Sequence, residues 1–274
     1  MATLADTDWL AVCRRACEGV QAELERFPSV ADRAVATGLG EGGDVALVID
    51  RAAEDAIFAE LESLATPLTV ISEERGHVDL RGGGSTHVIV DPIDGSRNAK
   101  RGIPAYSVSI AVADGDSIGD VQFAYVHDLA LGEEWRAAPG QGAWLDDKRL
   151  PQLAADGELE MLGLEMIHPG LVASAAQALQ DSGAARMRGL GSFALSLCWV
   201  AAGRFDGMVS LSTCRSVDFA AGQLIVTEAG GSVAMPDAGG DVAATSLDLA
   251  VRTRVIAAAN AGLLERLLAV GQTT

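Results

Sequence analysis

The run Val90-Asp91-Pro92-Ile93-Asp94-Gly95-Ser96-Arg97-Asn98 constrains the fold more than any other stretch of the chain. The apolar residues of His87 to Val90 read as a buried strand. That strand ends in two aspartates three residues apart. Pro92 fixes φ and stiffens the turn, and Gly95 lets the backbone turn tightly and expose N–H groups. Two carboxylates fixed beside free amides can hold hard cations on one side and a phosphate on the other. Aspartate is also an ordinary turn former, so this run alone leaves a plain strand–turn open.

The segments around it set the fold class. Trp9 to Phe27 repeats apolar residues at helical spacing and stops at Pro28. Gly38 to Asp44 reads as a glycine-rich acidic loop. Asp50 to Leu64 is a second helix, and Pro67 to Ile71 a short strand ending at Ser72-Glu73-Glu74. Arg81 to Ser85 is a glycine-rich loop. Tyr106 to Ala113 and Ile118 to Val126 are strands around Asp114-Gly115-Asp116, followed by Glu134 to Ala138 and Ala143 to Leu145. Beyond that, strand and helix alternate: strand Leu159–Met166, helix Leu171–Ser182, strand Ala184–Arg188, helix Ser192–Ala202, strand Gly207–Leu211 and helix Asp218–Ala229. Val233–Met235, Val251–Ala258 and the helix Ala261–Val270 close the chain. The expectation is an α+β half, residues 1–150, packed without a linker on an α/β half, residues 151–274, with a site between them.

Composition narrows the function. The 274 residues carry 38 acids against 20 bases, a formal charge of −18. A phosphate backbone calls for a basic stripe, so nucleic acid is not the expected partner. Phe193 to Ala202 falls short of the roughly 20 apolar residues that span a membrane, and an N-terminus with Asp6 and Asp8 does not read as a signal peptide. Cys13, Cys17, Cys198 and Cys214 fit neither a zinc framework nor a disulfide scaffold, and read as idle thiols of a cytoplasmic protein. The histidines do not cluster.

Other acids join the first pair. Glu73-Glu74 ends the strand before His87, a place where acids are usually solvated. Asp218 and Asp50 open helices, where an aspartate is most often a cap. Taken together, Glu73-Glu74, Asp91-Pro92-Ile93-Asp94-Gly95-Ser96, Asp218-Phe219-Ala220-Ala221-Gly222 and Glu228-Ala229-Gly230-Gly231 resemble the signatures of the inositol monophosphatase superfamily. Ile49-Asp50-Arg51-Ala52-Ala53-Glu54, Gly140-Gln141-Gly142-Ala143-Trp144-Leu145 and Gly191-Ser192 extend the resemblance over nearly the whole chain.

The resemblance implies a layered α-β-α-β-α sugar-phosphatase (FIG) fold, usually a homodimer, and Mg²⁺-dependent hydrolysis of a small phosphate monoester. It implies two or three Mg²⁺ per subunit. Glu73, Asp91 and the carbonyl of Ile93 resemble ligands of the first, and Asp91, Asp94 and Asp218 those of the second. Asp50, Glu74 and Ser96 correspond to the groups around the attacking water, with Ser96 in place of the usual threonine. Gly95 and Ser96 would offer N–H groups to the phosphate, and Ser192 and Phe193 would line the substrate side. The chemistry agrees: Mg²⁺ takes oxygen ligands, and the acids supply them without cysteine or histidine.

Departures bear on substrate. Val45-Ala46-Leu47-Val48-Ile49 lacks the threonines common before Asp50. Leu211 stands where inositol-specific members carry an acid, and Val217 where they carry tryptophan. Arg215-Ser216-Val217-Asp218 looks more like archaeal dual inositol monophosphatase/fructose-1,6-bisphosphatase members. Arg188, Arg204 and Arg215 could meet a second phosphate. Inositol 1-phosphate and fructose 1,6-bisphosphate are therefore the leading substrates. A 3′-phosphoadenosine 5′-phosphate phosphatase, or a non-catalytic metal- or phosphate-binding regulator, remains open as an alternative.

Overall fold

Strands with apolar residues at successive positions need cover on both faces, and the architecture supplies it. The computed structural model describes residues 7–39 and 45–271. Asp6 and positions 40–44 of the expected glycine-rich loop lie outside the described residues. The chain begins with α1 (Trp9–Glu25), α2 (Val30–Arg33), the hairpin β1 (Ala36–Leu39) and β2 (Val45–Leu47), and α3 (Val48–Ser63). Next come β3 (Leu68–Ser72), β4 (Gly76–Leu80), β5 (Thr86–Asp94), the short helix α4 (Ser96–Arg101), β6 (Ser107–Asp114), β7 (Val121–Asp128), β8 (Glu134–Ala138), β9 (Gly142–Leu145) and β10 (Lys148–Arg149). The remainder is β11 (Met161–Glu165), α5 (Pro169–Asp181), β12 (Arg186–Arg188), α6 (Phe193–Ala201), β13 (Gly207–Ser210), α7 (Ser216–Glu228), β14 (Ser232–Ala234), β15 (Ile256–Ala258) and α8 (Ala261–Gly271).

Two sheets result. The first has eight strands in the order β10-β9-β8-β7-β6-β5-β3-β4, antiparallel except for the parallel pair β3–β5. The second has five, β12-β11-β13-β15-β14, parallel at β12-β11-β13.

Side chains that alternate along each strand sort into separate cores. Val70, Val88, Val90, Val108, Ile110 and Val112 meet α1 and α3 on one face of the first sheet. Ile71, Ile89, Ala111, Ala113, Ala124 and Val126 meet α6 and α7 on the other. Met208 and Ala257 of the second sheet join that same central core, whereas Val209 and Ile256 face α5 and α8. The layers are therefore α1/α3, sheet one, α6/α7, sheet two, α5/α8, the α-β-α-β-α order that the resemblance implies. Helices α6 and α7 lie between two sheets and are buried nearly all round. That is why Phe193 to Ala202 is apolar without a polar face. Among the described residues no helix is long and apolar enough to cross a membrane. All four cysteines are free and buried.

The observed elements depart from the expected ones where local signals are weak. The hexapeptide of α4, Ser-Arg-Asn-Ala-Lys-Arg, has no apolar periodicity, and no helix is expected there from the sequence. Strand β4 was hidden beneath alternating exposed residues at the sheet edge. Only Ile256–Ala258 of the expected strand Val251–Ala258 joins the sheet, because Thr253 bridges Cys214 outside it.

Gly222 lets α7 pack closely on α6. A Cβ there would stand 2.6 Å from a Leu197 methyl and 2.7 Å from its Cβ. Gly222→Ala gains less than about 1 kcal/mol of helix propensity but overpacks the central layer at a cost of about 1–3 kcal/mol. Denaturant unfolding should show a lower midpoint at unchanged slope; an equal or higher midpoint would mean that the two helices part freely.

Candidate active site

Strand ends and helix starts converge on one region. Strand β5 ends with Asp91, Ile93 and Asp94, all buried. Parallel β3 ends beside it, and Glu73-Glu74 follow. Asp50 is the third residue of α3 and accepts the Leu47 N–H at 2.9 Å. Asp218 is the third residue of α7 and accepts the Arg215 N–H at 2.6 Å. Asp94 faces the start of α6: Phe193 N–H donates to Oδ1 at 2.9 Å, and Ala194 N–H and the Ser192 hydroxyl donate to Oδ2 at 2.7 and 2.5 Å. Three helix N-termini thus point their free N–H groups and positive dipole ends at carboxylates.

These donors do not balance the charge. Burial raises the carboxyl pKa of Asp50 to about 6, with Glu73 and Glu54 adding repulsion. Burial, then Glu73, Asp50 and Glu54, raises Glu74 to about 7. Burial and Glu73 raise Asp218 to about 7, against the Arg215 N–H and guanidinium. Asp94 rises to about 6 through burial, despite its bonds to α6. Asp91 is pushed well up by burial and by Glu73, Asp94 and Asp218 together. Glu73 is a common source of repulsion: its charge raises Asp91, Asp94 and Asp218, and also Asp50 and Glu74. Oδ1 of Asp50 and Oε2 of Glu74 are buried with no hydrogen-bond partner.

The expected phosphate side lies next to these acids. Gly95 has φ +93°, and a Cβ on it would meet the carbonyls of Ala105 and Gly191 at 3.0 Å, so the turn requires glycine. The Ser96 hydroxyl donates to the Ile93 carbonyl at 2.9 Å. Ser192 is fully buried against Asp94 and Ser107. The ring of Phe193 packs into the central core rather than lining an open pocket, and only its backbone N–H reaches Asp94.

The arginines separate. Arg215 is buried and ion-pairs with Glu73, leaving Nη1 without a partner. Arg204 forks onto Glu133 at 2.6 and 2.5 Å, away from the acids. Arg188 is exposed at the end of edge strand β12, donates to the Met187 carbonyl and makes no bond to the acids. Leu211 is buried in the outer core with α5 and α8.

Three polar residues absent from the expected set are also bonded into this region. Glu54 is buried behind Glu74, accepting from Ser72 and from the Arg75 N–H at 3.2 Å. Asn98 donates to Ala105 and Leu190 carbonyls, both at 2.7 Å. Glu165 ends apolar β11, and burial raises its pKa to about 7. The signal for Glu165 is the one that singled out Asp91: a carboxylate at the end of a buried strand.

A hard cation fits the donor chemistry. The ligands on offer are all oxygen, Asp50 Oδ1 and Glu74 Oε2 are buried without hydrogen-bond partners, and the acids repel one another. Among the described residues no three acids are turned together as a formed cage; local donors hold several of them instead.

The raised pKa values give stability a sign. Between about pH 4 and 7 the folded chain binds more protons at these acids than the unfolded chain, so stability falls as pH rises through that window. In chelator, the melting temperature should drop between pH 5.5 and 8, and Asp91→Asn should raise it at pH 8 by ~2 °C or more, the response to about 1 kcal/mol in a chain of this size. A flat pH profile and an unchanged or lower melting temperature for Asp91→Asn would remove the repulsion.

Comparison with known proteins agrees with this geometry. Residues 9–272 match the model of the inositol monophosphatase family. A fructose-1,6-bisphosphatase/inositol-1-monophosphatase of Methanothermobacter thermautotrophicus is 34% identical, with 95% of each chain covered. An inositol-1-monophosphatase of Mesorhizobium japonicum is 38% identical over 70% of this chain and 72% of its own. Among solved structures, the extragenic suppressor protein suhB of Bartonella henselae superposes with a TM-score of 0.80 at 27% identity, covering 98% of this chain and all of that one. The chain belongs to the inositol monophosphatase family, metal-dependent phosphoric monoester hydrolases.

Proposed function

We propose that the chain hydrolyses inositol 1-phosphate and fructose 1,6-bisphosphate with Mg²⁺ as its metal, two or three ions per subunit. The carrying observation is the set of buried, mutually repelling carboxylates at the ends of β3 and β5 and the starts of α3 and α7. Glu73, Asp91, Asp94, Asp218 and the Ile93 carbonyl hold the ions in this reading. When bound, Mg²⁺ supplies charge neutralisation of the phosphate oxygens, acidification of a coordinated water and stabilisation of the leaving oxygen.

The chain's own groups do the rest. Asp50 and Glu74 each keep a buried carboxylate oxygen without a partner, available to accept a proton from the attacking water. Ser96, whose hydroxyl already donates to the Ile93 carbonyl, orients the same region. Gly95 and Ser96, at the start of α4, present backbone N–H groups to the phosphate. Arg215 ion-pairs with Glu73 at the edge of this set.

Substrate breadth follows from what the pocket lacks. Leu211 packs with α5 and α8 and offers no acceptor to an inositol hydroxyl. A pocket without such pairing discriminates weakly. The reading also takes residues 1–150 and 151–274 as two subdomains, and a cytoplasmic homodimer as the working form. Arg188 and Arg215 are its candidates for a distal phosphate.

Phosphate release from a panel of inositol, sugar and nucleotide phosphates tests this. With Mg²⁺, inositol 1-phosphate and fructose 1,6-bisphosphate should both turn over, with kcat/KM values within about a thousandfold, roughly 4 kcal/mol. Asp94→Asn should lose on the order of 10² or more in rate while remaining folded. Turnover of 3′-phosphoadenosine 5′-phosphate alone, or no turnover at all, would replace this reading with one of its rivals.

A further inference from the structure

Glu165 comes from the second sheet, outside the acids that the reaction needs, yet it is bonded into the same turn. Its Oε1 accepts the Leu190 N–H at 3.0 Å and the Ser196 hydroxyl at 2.6 Å, and its Oε2 accepts the Gly191 N–H at 3.1 Å. From the opposite side, Asn98 of α4 donates to the Leu190 carbonyl at 2.7 Å. The turn between them leaves little slack: Gly191 has φ +75°, and a Cβ on it would touch the Asn98 amide at 3.0 Å.

That turn leads straight into Ser192, Phe193 and Ala194, the three donors to Asp94. Ser192, Ala194 and the Ser107 hydroxyl at 3.4 Å saturate Oδ2, whereas Oδ1 accepts only the Phe193 N–H and keeps acceptor capacity. The direction in which Asp94 can meet a cation is therefore fixed by where residues 190–194 sit. The Gly191 carbonyl also lies against Gly95, so the same turn borders the phosphate side.

We infer that Glu165 is a positioning residue: gripping the 190–191 turn opposite Asn98, it aims the start of α6 at Asp94 and so sets the metal affinity of the site. Glutamate suits this task because two carboxylate oxygens can accept from three donors at once. Glutamine keeps the length but turns an amide N–H₂ toward one of them. The carboxylate sits on the sheet-two side of the helix layer, so the link ties the second sheet to chemistry carried by the first. The inference rests on the metal-dependent reading of Asp94 given above.

The test reads Mg²⁺ midpoints from thermal stabilisation, alongside phosphate release, in Glu165→Gln, Asn98→Ala and Ser196→Ala. Removing a partner that orients a metal ligand costs about 10–100-fold in affinity. Glu165→Gln should raise the Mg²⁺ midpoint about tenfold, and so should Asn98→Ala, which loosens the turn from the other side and serves if the first variant does not fold. Saturating Mg²⁺ should restore much of the lost rate. Ser196→Ala removes a bond to Glu165 without touching the turn, and should keep a midpoint within about twofold of wild type. Unchanged midpoints in both turn variants would overturn the inference. So would a Ser196→Ala shift as large as theirs, because Glu165 would then serve α6 packing alone. A wild-type chain with neither Mg²⁺ stabilisation nor phosphate release would overturn the metal reading and this inference together.

Discussion

Repulsion between buried carboxylates is the constraint around which the rest of the structure is arranged. A lone buried carboxylate neutralises itself by taking a proton. Here several acids share one region, so each raises the others. The fold tolerates them by aiming donors inward. Helices α3 and α7 each hold an aspartate three residues past the cap, and α6 gives its first N–H groups to Asp94. Arg215 adds one full positive charge against Glu73. What remains unbalanced is negative and lined by oxygen. A divalent cation completes it in a way that further amides cannot, because an amide brings only a partial charge.

The layered architecture makes that arrangement possible. Parallel β3 and β5 deliver their acids at the same sheet end. The apolar helices α6 and α7 lie between the two sheets and can be buried on all sides only because both sheets cover them. Their N-termini are thereby held where β5 ends. An exposed loop could carry the same acids, but it could not hold them together against their repulsion. Stability is given up locally in exchange for a place where ligand charge is strongly favoured.

Much of this was legible in the sequence, for reasons that particular residues show. Asp91 and Asp94 follow an apolar run and flank a proline, so both their burial and their fixed spacing can be read directly. The five-layer order came from the resemblance; strand alternation confirms it, since Val88 and Ile89 fall in different cores. Other features depend on contacts distant in the chain. Nothing near Phe193 says that its ring turns into the core while its N–H serves Asp94. Arg215 reads in sequence as a contact for a second phosphate, and only the fold brings Glu73, 142 residues away, against it. Asn98 acts on Leu190 across a 92-residue separation. Helix α4 is too short to show a period, and its role is set by the φ of Gly95 at its start.

Calorimetric titration with Mg²⁺ at pH 6.5, in two buffers of different ionisation enthalpy, reads whether a cation relieves the repulsion between the buried carboxylates. Asp50 and Asp94 are raised to about 6 and Glu74 and Asp218 to about 7, so the metal-free site holds protons at that pH. A cation that binds these oxygens must expel those protons. Mg²⁺ should bind with an apparent enthalpy that depends on the buffer, corresponding to release of about one proton or more per chain. Binding with the same enthalpy in both buffers, or no binding, would contradict it.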